Sequence, residues 1–175
     1  MSDHKQAGEG QYLTFRLAEE IYAMEITRVR EVLDYTRITK VPKVPEFMRG
    51  IINLRGGVVP VVDLKRKFAM GETKRSVDTC IIIVEVDVEN ESTLIGTLAD
   101  SVREVIELNS AQIEPPPKIG SHIRTEFIKG MGKQDDTFII ILDINSIFTV
   151  DELSMVQAMG GGDSEKKESP AVTSP

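Results

Sequence analysis

Part of this chain of 175 residues is written twice. VREV stands at 29–32 and again at 102–105, and EFMRG at 46–50 is answered by EFIKG at 126–130. Asp63 of VVDL and Phe68 then meet Asp143 of ILDI and Phe148. The first landmark recurs after 73 residues and the others after 80, so seven extra residues fall between them, near the proline run Pro115-Pro116-Pro117. Ordered landmarks at a shared spacing point to duplication. Each copy then holds about five short strands with little helix, the size of a small barrel that closes on itself and hides its edges. The expected fold class is therefore all-β: two five-stranded barrels with short helical turns, and a cleft between them as a natural place for a partner.

The local pattern supplies the strands. QYLTFRL and IYAM read as a hairpin around Ala18-Glu19-Glu20, and VREVLDY as an extended segment with Val29, Glu31 and Leu33 on one face. Ile38 to Val41 is predicted as a short strand, and Pro45 to Met48 as one helical turn with proline first. Gly50 to Leu54 and Val58 to Leu64 form a second hairpin across Gly56-Gly57, with Pro60 placed at a sheet edge or bulge. Cys80 to Val88, Thr93 to Ala99, Asp100 to Leu108 and Phe138 to Asp143 complete the strands. Thr149 with Glu152 has capping-box spacing ahead of Leu153, Met155 and Val156, which predicts a short C-terminal helix. The organisation expected is one region over 11–157, with a first barrel repeat over about 11–68, a linker at 69–79 and a second repeat over about 80–157. Residues 1–10 and 160–175 are expected to be disordered, the latter because GGGDSEKKESPAVTSP cannot bury enough apolar surface to fold.

Composition removes several functions. A formal charge of −7 argues against a sequence-independent nucleic-acid binder, which needs surplus Lys and Arg to displace counterions. That counts against a small β-barrel RNA-associated protein, the reading from another class. No secretory h-region and no apolar run long enough to span a bilayer is present, and the single cysteine, Cys80, can form no internal disulfide. These features predict a cytoplasmic chain. Cys80 opens the run CIIIVEV and reads as a small buried hydrophobe.

No catalytic constellation is found. His4 and His122 stand without a second ligand at zinc spacing, and there is no nucleophile elbow, P-loop or dinucleotide fingerprint. No cofactor or metal is predicted. Asp63 and Asp143 could be proposed as acid and base, but their equivalent repeat positions favour a shared structural job. One pair remains. Glu31 lies on a face that should otherwise be apolar, where a carboxylate needs a partner, and Arg55 at the NLRGG corner can supply one. The second copy carries GKQDD in place of NLRGG, so the fold tolerates losing that arginine. Arg55 is thus either a solvated loop residue or a residue kept because something binds there.

The pattern Pro45-x-Phe47-x-x-Gly50-x-x-Asn53-Leu54-Arg55-Gly56, running on into Val59-Pro60-Val61-Val62-Asp63-Leu64, resembles the CheW family, the coupling proteins of bacterial chemotaxis. The resemblance spans roughly Gln11 to Gln157. It implies SH3-like barrels and a non-catalytic adaptor that links cytoplasmic tips of methyl-accepting chemoreceptors to the regulatory domain of the histidine kinase CheA, meeting the membrane only through the receptors. A related adaptor in a pilus-motility or other chemosensory pathway is the alternative. Matched position by position, the resemblance implies a receptor- and kinase-coupling role for Glu31 and Arg55 and a receptor-binding role for Val29, Cys80 and Val105. It also implies a backbone-shape role for Gly50, Gly56, Gly57 and Gly96. Cys80 departs from the pattern, standing where an aliphatic residue is usual.

Overall fold

The computed structural model describes residues 10–116 and 125–160; His4, His122, Pro117 and the two tails expected to be disordered lie outside the described residues, apart from Gly10 and Gly160. Eleven strands are formed: β1 Gln11–Leu17, β2 Glu20–Glu25, β3 Val29–Asp34, β4 Met48–Leu54, β5 Gly57–Asp63, β6 Cys80–Val88, β7 Glu91–Ala99, β8 Ser101–Glu107, β9 Ile113–Glu114, β10 Ile128–Gln134 and β11 Thr137–Leu142. Two α-helices, α1 Leu64–Lys67 and α2 Val150–Gly160, accompany them. The all-β class read from the repeat is the class observed.

The sheets, however, do not follow the repeats. One has the order β8-β1-β2-β11-β10-β9 and the other β3-β6-β7-β5-β4. The first copy contributes β1 to β5 and the second β6 to β11, so each sheet takes its central hairpin from the opposite copy. The exchange is reciprocal down to register. Val61 of β5 lies beside Gly96 of β7 in parallel, and Ile141 of β11 lies beside Ala23 of β2 in the same way. The expectation that 11–68 and 80–157 each close their own barrel is therefore corrected. Short local units cannot be assigned sheet partners from their own pattern, because a strand's partner is a non-local choice.

Each sheet closes through the chain leaving its outer strand. Beyond β3, Thr39 bridges Ile51 of β4, with a pair of backbone bonds at 2.9 Å. Beyond β8, β9 pairs with β10 at Ile113↔Gly132. The predicted strand at Ile38–Val41 is thus only a bridge, and Pro45–Met48 is a single turn closed by Met48 N–H to Pro45 O at 2.9 Å. Pro60 sits where the parallel ladder to β7 has yet to begin, at Val61, so its missing donor leaves no gap there.

Three apolar clusters follow from this arrangement. Tyr12, Ala23, Ile106, Leu108, Ile139 and Ile141 fill one barrel, and Ile52, Val59, Val61, Ile81, Ile83 and Leu98 the other. The largest cluster lies along the seam between them and holds the aromatic series Phe15, Tyr22, Phe68 and Phe127, with centroids 5.8–6.3 Å apart, and the pair Phe47–Phe148 at 5.8 Å. Helix α2 is bolted to this seam by Leu153 and Val156. Its start is the predicted capping box, with Thr149 N–H to Glu152 Oε1 at 2.8 Å and Glu152 N–H to Thr149 Oγ1 at 3.1 Å. Glu152 also takes Lys67 Nζ at 2.7 Å, whose ammonium lies 4.9 Å from the Phe47 ring centre.

The duplicated aspartates have structural work. Asp63 is fully buried and accepts from Thr73 N–H at 2.9 Å, Thr73 Oγ1 at 2.7 Å, Lys65 N–H at 3.2 Å and Arg49 Nη1 at 3.0 Å. Asp143 accepts from Ser146 Oγ at 2.9 Å. Both begin a helical turn, and both backbones are tied to the phenylalanine of the repeat, Asp63 to Phe47 O at 2.7 Å and Asp143 to Phe127 O at 2.9 Å.

Gly50 is the tightest point of closure. Its φ is +146°, and a Cβ there would lie 2.1 Å from Thr39 O, a backbone atom that cannot move without opening the barrel. Gly50→Ala is expected to lower unfolding free energy by at least about 3 kcal/mol, by strain and loss of the closing bridge. Chemical denaturation measures this, and a loss below about 1 kcal/mol would show that closure does not depend on Gly50.

Candidate functional site

β3 is the outer strand of its sheet, and its ladder to β6 carries a bulge: Val29 pairs with Val84 and Glu31 with Ile83, leaving Arg30 as the extra residue. A bulge re-aims the side chains beside it. Arg30 turns to Glu85 at 3.0 Å, and the Glu85 carboxyl is held below its usual range, chiefly by the Ser92 hydroxyl with Arg30 adding to it. Glu31 faces the β4–β5 corner, where Arg55 Nη2 donates to Glu31 Oε2 at 2.6 Å. The charged pair read from sequence is therefore formed.

The corner is a two-residue turn, Leu54↔Gly57, with φ of +49° at Arg55 and +87° at Gly56. Both angles are those of a type I′ turn, where Asn-Gly is the favoured pair. The turn residues are Arg55 and Gly56, one position earlier than expected. Gly57 opens β5 outside the left-handed region, with ordinary space for a Cβ, so the backbone demand predicted for it is absent. Asn53 Oδ1 steadies the turn by accepting from Gly56 N–H at 3.2 Å.

Arg55 is one of seven non-glycine residues with positive φ among the described residues, and at this corner the cost can be set against a single ion pair. Its side chain is 71% exposed, and an ion pair so placed contributes about 0–1 kcal/mol. A non-glycine residue in the left-handed region costs about 1–2 kcal/mol, and arginine lacks the local hydrogen bonds that let Asn or Asp tolerate it. The corner therefore loses more by holding arginine than the pair returns. Two apolar side chains close to the pair in sequence are exposed, Val58 after the turn and Val32 after Glu31, each 41% exposed, with Val32 on the opposite face of β3 from Glu31.

The exchanged symmetry places a related face on the other barrel. There β8 carries the matching bulge, with Arg103 and Glu104 opposite the single residue Thr14. Thr14 Oγ1 donates to Glu104 O at 2.7 Å and accepts from Glu104 N–H at 3.1 Å. The corner opposite is Gln134↔Thr137 with Asp135 at φ +56°, so Asp135, not a glycine-rich run, is the structural counterpart of Arg55. A depression of about 240 Å³ lies between, lined by Thr14, Arg103, Glu104 and Asp135 among others. Val105 and Phe138, 48% and 50% exposed, stand at the repeat positions of Val32 and Val58. One face thus carries a Glu–Arg pair, and the depression on the other gathers Arg103, Glu104 and Asp135.

The remaining predicted residues scatter. Val29 packs against the seam cluster, and Val105 lies in the other sheet facing solvent, so the two do not share a strand or sheet. Cys80 is half-buried at the far end of the β3–β6 ladder, paired with Asp34, and desolvation pushes its thiol up. Gly96 lies in β7, where a Cβ would come within 2.8 Å of Ile81 Cγ2 and 3.3 Å of Val61 Cγ2. Val32, Val58 and Phe138 were not predicted. The signal was present in the repeat: Val32 and Val105 are the last letters of its two VREV copies, and Val58 and Phe138 share the 80-residue spacing.

Comparison with known proteins agrees with this geometry. The CheW-like domain family matches residues 11–152. The chemotaxis protein CheW of Klebsiella aerogenes is 32% identical over 155 residues, covering 87% of this chain and 91% of that protein. Its counterpart in Treponema pallidum is 31% identical, covering 82% and 84%. The crystal structure of the scaffolding protein TtCheW from Thermoanaerobacter tengcongensis superposes with a TM-score of 0.74 at 41% identity, covering 87% of this chain and 95% of that one. With its family match running through both barrels and both corners, the chain belongs to the CheW family, a family of non-catalytic chemotaxis adaptors, and is not an enzyme.

Proposed function

We propose that this adaptor works in the cytoplasm, coupling the cytoplasmic tips of chemoreceptors to the regulatory domain of the histidine kinase CheA. The observation that carries the reading is Arg55, an exposed arginine held in a left-handed conformation at a corner whose stability does not need it. Arginine is enriched where protein partners bind, and the same barrel offers exposed apolar side chains at Val32 of β3 and Val58 of β5. A helical hairpin with an apolar stripe fits such a surface, with the Glu31–Arg55 pair fixing its register. Val105 and Phe138 are exposed apolar residues on β8 and β11 of the other barrel, which suits a protein that must hold two partners at once. Val29, which opens β3, and Cys80, paired with Asp34 at the far end of the β3–β6 ladder, would set the position of the strand that presents Glu31. Gly50, Gly56 and Gly96 act through backbone shape.

Arg55→Glu is expected to weaken receptor-tip or kinase-domain binding at least tenfold while unfolding remains a single transition, a loss in the range of an interface arginine. Unchanged affinity with intact folding would remove Arg55 from the site. Arg55→Asn separates the roles more sharply. The turn then has its preferred residue, so stability should hold or rise by up to about 1 kcal/mol while affinity falls. If affinity is retained, the arginine is not a contact. Val105→Asp on the second face should change stability by less than about 0.5 kcal/mol, as for other surface substitutions, and weaken receptor-tip binding in a titration. Full binding by that variant would exclude the second face.

A further inference from the structure

We propose that Lys74–Asp78 is a tether and not a structural element, and that the halves of the chain before and after it stay together as one particle when it is severed. Four ladders join the halves: β1 with β8, β2 with β11, β3 with β6, and β5 with β7. Without them neither half has a closed barrel. The first half would keep a β1–β2 hairpin and a β4–β5 hairpin with no sheet between them, and the second half would be left the same way.

The seam adds a second bond between the pieces. Tyr22, Phe68 and Phe127 stack in series across it, and Lys67 of the first half is paired with Glu152 of the second. The connecting stretch contributes little by comparison. All five residues from Lys74 to Asp78 are exposed, Val77 completely. The chain is held on either side of them, by Thr73 on Asp63 and by the Thr79 carbonyl accepting from Tyr35 N–H at 3.2 Å. The stretch itself gives the Arg75 guanidinium over the Tyr35 ring at 4.6 Å, a short turn of Ser76 against Thr79, and two carbonyls that accept from the residues just after it, Lys74 O from Thr79 Oγ1 at 3.4 Å and Asp78 O from Cys80 Sγ at 3.3 Å. The molecule is thus a pair of similar units, each completing the other's barrel, with a covalent link that holds their concentration high rather than shaping them.

The test is a full-length chain with a specific protease site inserted between Lys74 and Arg75. After cleavage, light scattering on a sizing column should show a single particle of the uncut mass, with unchanged far-ultraviolet dichroism. Unfolding of the cut particle should become concentration-dependent, about 1.4 kcal/mol less stable for each tenfold dilution, while the uncut chain is indifferent to dilution. Two separate folded pieces after cutting would overturn the proposal, as would dissociation on dilution with the strand signal retained. Should the insertion itself prevent folding, hydrogen exchange on the unaltered chain decides. Protection shared by β1 and β2 with β8, β10 and β11 supports the proposal. Separate opening of 11–68 and 80–157 as two units overturns it.

Discussion

Reciprocal pairing of the two parallel ladders, β5 with β7 and β2 with β11, is the constraint on which the rest of this structure depends. Each ladder brings a hairpin from one copy against the closing strand of the other, and closure of both barrels follows. Parallel neighbours cannot be joined by a tight turn, so these contacts need long connections. The duplication meets that need by letting each copy supply the other's missing hairpin. The hairpin nevertheless stays in touch with its own copy, since Phe68 stacks on Tyr22 and Asn145 Oδ1 accepts from Asp87 N–H at 3.0 Å. The seam is therefore both the boundary between barrels and the interior of each repeat.

Much of this was legible from the residues. Alternation and turn chemistry found β1 to β8 and β11 to within a residue or two but gave no strand at β9 or β10, and the capping box at Thr149 was read from spacing alone. The shared structural role of Asp63 and Asp143 followed from their repeat positions, and the Glu31–Arg55 pair from an acid on an apolar face. What could not be read was the identity of each strand's neighbour. Alternation fixes which face of a strand is buried but is indifferent to the strand beside it. The same indifference made the Ile38–Val41 segment look like a strand, when only Thr39 is caught by Ile51. Phe138 escaped because a lone apolar residue in an apolar strand breaks no pattern. It falls on the outward face of β11 with Ile140, while Ile139 and Ile141 point into the core.

The two corners show how a duplicated fold acquires difference. Bulge, turn and flanking apolar pair are common to both barrels, and they are set by the architecture. The charges are not. Glu31 and Arg55 neutralise one another on one barrel, and on the other the corner position of Arg55 is held by Asp135, in a depression with Glu104 and Arg103. A carboxylate in place of a guanidinium at the corner disfavours an acidic partner and favours a basic one. Two surfaces of the same shape are in this way made to select differently, and the backbone did not have to change for it.

The ladder between β1 and β8 pairs Leu13 with Val105, residues nearly a hundred positions apart. A ribosome releases the first hairpin long before β8, β10 and β11 exist, and synthesis proceeds at roughly 5–20 residues per second. For several seconds the nascent chain therefore carries Tyr12, Leu13, Phe15, Leu17, Tyr22 and Met24, all core residues of the finished protein, with no sheet to receive them. In the cell, the reciprocal architecture makes the newborn hairpin dependent on either rapid completion or a chaperone that binds exposed apolar strands.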